Sequence, residues 1–242
     1  MGKICISLSE YNAHLEKMNR LEDDNRRLKK IVDLLLDNQS LQSLSLHDIV
    51  AAGSRSEEPS GDCVDLGLPS GRLWCTHNVG AKNPEDSGLF FSWGNTEGHT
   101  EDSGYDFSEE EYKKTPGAKL DGNIAAGSEY DAASVNMGGT WHMPTFEDNK
   151  ELCDNTDWEE AVINGVSGLK FMKKSDHSVY IFMPFTGFFA GTSRDDRGSD
   201  GSYWSSTWGS ARDARYLYFY SGGVNPLYNV NRCLGFPVRA VQ

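Results

Sequence analysis

The chain stops using Lys at Lys174 and Glu at Glu160, so its last sixty residues contain neither. Between Pro184 and Val241, Met and Gln are missing as well, although Tyr, Asn, Ser, Gly, Arg and Asp are plentiful. Lys and Glu are among the commonest residues of soluble domains, and their joint absence over such a length is improbable by chance. The residues that remain are those that make adaptable contacts in antibody binding loops. The C-terminal segment therefore has the composition of a recognition surface.

Other absences narrow the function. The formal net charge of −13 argues against nucleic acid as the main partner, because phosphate-backbone binding needs clustered Lys and Arg, although an acidic chain can still carry a local basic patch. Five Cys are scattered (Cys5, Cys63, Cys75, Cys153, Cys233) without a CxxC pair, which resembles neither a disulfide framework nor a zinc site. The N-terminus, MGKICISLSEYN, lacks the apolar core of a signal peptide, and no run is long enough to span a membrane. The reading is synthesis and folding in a reducing cytoplasm, without membrane insertion and with later release in a virus particle left open. The 242 residues suffice for one large domain, or a domain plus an appendage, and 25 Gly favour a loop-rich or β-rich body.

The first fifty residues differ in kind. Residues 8 to 37 read as one helix with a heptad pattern: Tyr11, Met18, Asn25 and Val32 at a, and His14, Leu21, Leu28 and Leu35 at d. Opposite charges at g (Lys17, Asp24) and e (Glu22, Lys29) favour a parallel, in-register homo-oligomer. Tyr11, Met18, Leu21, Asn25, Leu28, Val32 and Leu35 are the expected oligomerisation residues. Asn25 at a favours a dimer, whereas Ile31 at g and Leu36 at e favour three or more strands. The competing reading is an amphipathic helix packed on its own domain. Residues 1–50 are assigned to this segment, 51–61 to a Ser/Glu/Gly/Pro linker and 62–242 to the main domain.

In the body, short apolar runs alternate with Gly, Asn, Asp and Pro. Residues 64–66 and 73–76 read as a hairpin around Pro69, Ser70 and Gly71, and LFFSWGNT (89–96) reads as a strand. Residues 97–136 read as a polar excursion outside the core. A helix is predicted from Thr145 to Asn155, with Thr145 as N-cap and Glu147 and Asp148 in its first turn. SVYIFMPFTG (178–187), YLYFYSG (216–222) and PVRAV (237–241) are the predicted strands.

In this order, VDLGLPSGRLW, NVGA, GLFFSWGNTEG, GGTWHMPT, IFMPFTG, YWSST and GFPVRAV resemble the Fibrobacter-succinogenes-type major paralogous domain. The resemblance runs from about residue 63 to the end. It implies an α+β, C-type lectin-like fold of the formylglycine-generating-enzyme-like branch, preceded by the N-terminal α-helical coiled coil. The C-terminal part, with a variable region at about 194–236, resembles the variable proteins of diversity-generating retroelements, in which a reverse transcriptase alters template adenines and rewrites the 3′ end of the gene. The resemblance implies diversified, ligand-binding positions at Asp213, Arg215, Tyr216, Tyr218, Tyr220, Gly222, Gly223, Leu227, Tyr228, Asn229, Val230, Asn231, Cys233 and Leu234. All fourteen can arise from Asn codons of the AAC type by adenine substitution, which cannot produce Lys, Glu, Gln, Met or Trp. The expected function is a ligand- or receptor-binding, adhesin-like protein; similarity to phage tail-fibre adhesins implies a homotrimer and a protein or glycan target on a cell surface. The alternative is a formylglycine-generating-type oxidase or a degenerate relative.

Residue by residue, the expectation is a non-enzyme without cofactor or metal. The oxidase relatives use a reactive Cys pair, whereas Cys233 stands alone, and His77, His99, His142 and His177 are each read as isolated from a nucleophile. The loop RDDRGSDG (194–201) lacks the spacing and terminal Glu of an EF-hand and reads as solvated. Trp74, Trp93, Trp141, Trp204 and Phe236 read as framework, and Arg239 as a paired structural residue. In YLYFYSG, Leu217 and Phe219 are expected to face inward and Tyr216, Tyr218 and Tyr220 outward.

Overall fold

A computed structural model describes residues 63–242. The coiled-coil positions and the linker lie outside the described residues.

The first strands, β1 (Cys63–Asp65) and β2 (Leu73–Cys75), pair antiparallel. Gly71, at φ +73°, closes the turn between them by donating its N–H to the Leu68 carbonyl at 2.9 Å. The apolar run that follows is not a ladder strand. Phe90, Phe91, Ser92 and Trp93 are all buried, so this stretch has no solvent face, and its backbone pairs to several sides in turn. Phe90 bridges to His99, Phe91 to Phe236, and the Trp93 N–H donates to the Arg232 carbonyl.

Residues 97–136 are not the excursion outside the core that their polarity predicts. Phe107, Tyr112, Ile124, Ala132 and Ala133 are buried from this stretch. Its apolar residues are too sparse to show a period, and short helices anchor them singly. In α1 (Glu109–Tyr112) the Ser108 hydroxyl accepts from the Glu111 N–H. In α2 (Ala132–Met137) the buried Asp131 accepts from Ala133 and Ser134, and also from the Met143 N–H.

The third helix, α3 (Phe146–Asn155), begins where the sequence predicts. Thr145 Oγ1 accepts from the Asp148 N–H at 3.0 Å while Asp148 Oδ2 accepts from the Thr145 N–H at 2.8 Å. A meander follows: β3 (Thr156–Ile163), β4 (Val166–Lys173) and β5 (Asp176–Pro184), in that spatial order. Asn164 and Gly165, at φ +50° and +83°, make the β3–β4 turn. A small hairpin, β6 (Phe188–Ala190) and β7 (Ser193–Asp195), leads to the last sheet, built from β8 (Asp200–Trp208), β9 (Asp213–Tyr220) and β10 (Gly223–Asn231) in the order β10-β9-β8.

The chain's final segment also departs from the predicted strand. Val238, Arg239, Ala240 and Val241 are all essentially inaccessible, so this stretch likewise has no exposed face. It threads between β2 and residues 141–143: Cys75 N–H donates to the Ala240 carbonyl, and Val241 exchanges hydrogen bonds with His142. Arg239 is a paired structural residue, donating to Asn78 Oδ1 and to the Cys75 and Phe182 carbonyls.

The result is an α+β architecture, mostly β-sheet with few helices and with open sheets. Two apolar cores flank β8, whose consecutive Tyr203 and Trp204 enter different ones. One core gathers Trp93, Trp141, Trp204 and Phe236; the other packs Leu152 of α3 and the inner face of β4–β5 against Leu217 and Phe219. Among the described residues, no helix is long and apolar enough to cross a membrane.

Candidate surface on the last sheet

The candidate site grows from the alternation of β9. Leu217 and Phe219 are fully buried, and Tyr216, Tyr218 and Tyr220 point the other way, as the sequence predicts. On the edge strand β10, Tyr228 lies opposite Tyr216, Asn225 opposite Tyr218 and Gly223 opposite Tyr220. Two β10 residues, Pro226 and Leu227, face only Leu217, which makes a bulge. An edge strand tolerates Pro226 because it has no further neighbour to receive an N–H.

Four tyrosines thereby form one aromatic cluster. Ring centroids are 6.2 Å apart for Tyr216 and Tyr228, 5.8 Å for Tyr218 and Tyr228, and 5.9 Å for Tyr218 and Tyr220. Tyr216 is the anchor: it packs at 5.1 Å on Phe236, which stacks at 4.3 Å on Trp204. The indole of Trp204 donates to the Phe91 carbonyl and that of Trp93 to the Ser205 carbonyl, so the floor is hydrogen-bonded as well as packed. Exposure then rises outward to 44% at Tyr220 and 48% at Tyr228, with Leu227 at 54%. These are large contact groups with few rotatable bonds, held on a rigid base, and they suit recognition by packing and phenol hydrogen bonds.

Asp200, at the start of β8, sets the electrostatics. Tyr218 donates its hydroxyl to Asp200 Oδ1 at 3.1 Å. Burial, followed by the neighbouring Asp200 carboxylate, pushes the Tyr218 phenol up to about 12. Tyr216 is also raised, chiefly by burial.

The remaining sequence-predicted positions do not all share this face. Arg215 faces α3, its guanidinium 5.0 Å from the Phe146 ring and its Nη1 donating to the Leu227 carbonyl. Asn229 is exposed opposite Arg215 in register. Asp213 closes the β8–β9 turn, its carbonyl accepting from Gly209 and Ser210. Ser221 and Gly222 form the β9–β10 turn, and Gly222 and Gly223 lie beside the Tyr220 ring. Val230 and Leu234 are partly buried against the Trp204 core, and Asn231 Oδ1 accepts from the Cys233 N–H. Cys233 is an inward candidate position: it is only 6% exposed, and burial pushes its thiol up. After β10 the chain turns inward, which removes Cys233 from the surface.

Sequence reasoning missed Asp200, Asn225 and Arg232 as members of this neighbourhood. Arg232 is buried between two candidate positions. Its Nε donates to the Tyr112 hydroxyl, and its two terminal nitrogens donate to the carbonyls of Leu120, Gly117 and Ala118. It also stacks 5.0 Å from the Trp93 ring. Nothing in its local sequence distinguishes it from an exposed Arg, because its partners lie more than a hundred residues away.

The histidines are dispersed. His99 stacks at 3.7 Å on Tyr105 and is lowered by burial, His142 faces Arg72, and His177 bonds Asp157. One expectation is corrected: His77 is not isolated from a nucleophile, since its Nδ1 stands 3.8 Å from Cys75 Sγ at the end of β2. Among the described residues, no group of three or more His, Cys, Asp or Glu could hold a metal ion. No family model, no curated protein and no solved structure matches this chain.

Proposed function

We propose that the chain is a non-enzymatic ligand-binding protein whose contact surface is the tyrosine face of β9 and β10. The observation that carries this reading is the cluster of Tyr216, Tyr218, Tyr220 and Tyr228, graded from a half-buried anchor to exposed rings. The segment that builds it is also the one from which Lys, Glu, Gln and Met are missing. A tyrosine-rich surface on a hydrogen-bonded aromatic floor accepts replacement of its outer side chains without loss of the fold, as a surface rewritten by adenine substitution requires. In this reading the domain is a C-type lectin-like variable domain of a diversity-generating retroelement. The heptads of residues 8–37 present it as a homotrimer, adding avidity to individually weak sites. The target is a protein or glycan on a cell surface. The buried, raised thiol of Cys233 favours binding over thiol-based oxidase chemistry.

The test is a binding screen of the full chain on glycan arrays and intact bacterial cells, in parallel with the double variant Tyr218→Ala/Tyr228→Ala. The expected result is at least a tenfold loss of the captured signal, as for truncation of hot-spot aromatics worth about 2 kcal/mol. Unchanged binding by a folded double variant contradicts the assignment of this face.

A further inference from the structure

We propose that Cys63 and Cys75 form an intradomain disulfide when the protein meets an oxidising thiol–disulfide environment. Their spacing in sequence fits no disulfide framework, but the fold places them directly opposite each other across β1 and β2. The kind of pair is decisive. Leu73 exchanges hydrogen bonds with Gln242, Cys75 N–H donates to the Ala240 carbonyl, and the Cys75 carbonyl accepts from Arg239. The backbone polar groups of residues 73 and 75 thus point away from β1, and Cys63–Cys75 is a non-hydrogen-bonded pair. Such pairs bring Cα atoms to about 4.5 Å and side chains closer than in the alternating pairs, within the Cα range of about 4.4–6.8 Å that a disulfide spans. Both side chains share one face, since Cys75 belongs to the Trp93–Trp204 core and Cys63 packs against that same core.

The surroundings divide the chemical roles. Cys63 is partly exposed and Cys75 is fully buried. Cys63 loses its proton to solvent, and its thiolate attacks a small disulfide such as glutathione disulfide. The S–S bond of the oxidant breaks, one small thiol leaves, and a mixed disulfide forms at Cys63. Cys75 then passes its proton to His77 Nδ1, 3.8 Å away, and its thiolate displaces the second small thiol. Two protein thiols are oxidised and one small disulfide is reduced to two thiols. The product joins the first strand of the domain to β2, which the C-terminal segment holds in turn.

The test is peptide mapping of the full chain without reduction, after equilibration with glutathione disulfide and blocking of remaining thiols. Trypsin cuts at Arg55, Arg72 and Lys82, so the bond appears as Ser56–Arg72 linked to Leu73–Lys82. The expected result is this linked pair as the main product, with a melting temperature raised by roughly 5–10 °C for closure of so short a loop and lowered again by dithiothreitol. A Cys63→Ser variant should lose the reductant-sensitive part of the melting temperature. Blocked thiols at both positions, glutathione retained on Cys63, or Cys63 linked to Cys5, Cys153 or Cys233 overturns the proposal.

Discussion

Replacing Arg232 by Met should cost more stability than any change at the candidate positions beside it. The Arg232 side chain is 1% exposed and donates to the Tyr112 hydroxyl and to three backbone carbonyls of residues 117–120, with its plane against Trp93. Methionine keeps much of the volume but withdraws the donor from the Tyr112 hydroxyl and from the Leu120 and Ala118 carbonyls, while the Gly117 carbonyl keeps the Leu120 N–H; each buried acceptor left unmatched costs about 1–3 kcal/mol when unrelieved. The segment can relax to let water reach part of them, so the net loss is about 3–5 kcal/mol, the range found when a buried charged network loses one member. For a domain of this size, that is a fall in melting temperature of roughly 6–20 °C. Lysine should rescue little of it, because a point ammonium cannot reproduce a planar fork that reaches four acceptors. Thermal unfolding followed by near-UV circular dichroism reads the effect. Asn229→Ser and Leu227→Ser, at exposed positions, should each shift the midpoint by about 2 °C or less. If Arg232→Met unfolds within 2 °C of the parent, the fixed-floor reasoning is wrong.

Other expectations follow from the same contacts. Tyr218, raised to about 12, keeps its proton in the folded state between pH 10 and 12 while the unfolded chain loses its own, so its contribution to stability is full below pH 10 and is lost as pH rises toward 12. The difference in ultraviolet phenolate titration between the parent and Tyr218→Phe should therefore show the missing group titrating near 12 and not near 10, and Asp200→Asn should move it down. Thr145→Ala removes the capping box of α3 and should cost about 1–2 kcal/mol in urea unfolding; no loss would deny the cap its role. Gly165→Ala meets no atoms within 4 Å but places a Cβ at φ +83°, so a loss of about 1–2 kcal/mol is expected from backbone strain alone.

Elements were legible in the sequence where one face is wet and the other dry. The capped helix α3 and the alternating strand β9 carry that contrast in their residues; the helix starts where predicted, and the strand keeps its predicted alternation but runs from Asp213 to Tyr220 and not from 216 to 222. Segments buried all round carry no such contrast. Phe90–Trp93 and Val238–Val241 read as strands from composition, yet their neighbours are single bridges drawn from several directions. The β3–β4 hairpin was available in the Asn164-Gly165 pair, whose flanking runs are too charged to read as core strands. Within the site, the tyrosine face was readable by period two. The contribution of Asp200, the burial of Cys233 and the role of Arg232 were not, because each depends on chain that returns from far away in sequence.

Sequencing the 3′ end of this gene in many independent isolates, together with the adjoining DNA, addresses diversification of the tyrosine face without knowledge of the ligand. The expected result is a near-copy of the 3′ end beside a reverse transcriptase gene. Substitutions should fall at template adenines and concentrate on Tyr216, Tyr218, Tyr220, Tyr228 and the other candidate positions, while Trp204, Leu217, Phe219 and Arg232 stay constant. Absence of such a copy, or substitutions spread evenly over buried and exposed positions, would contradict a diversified binding surface on β9 and β10.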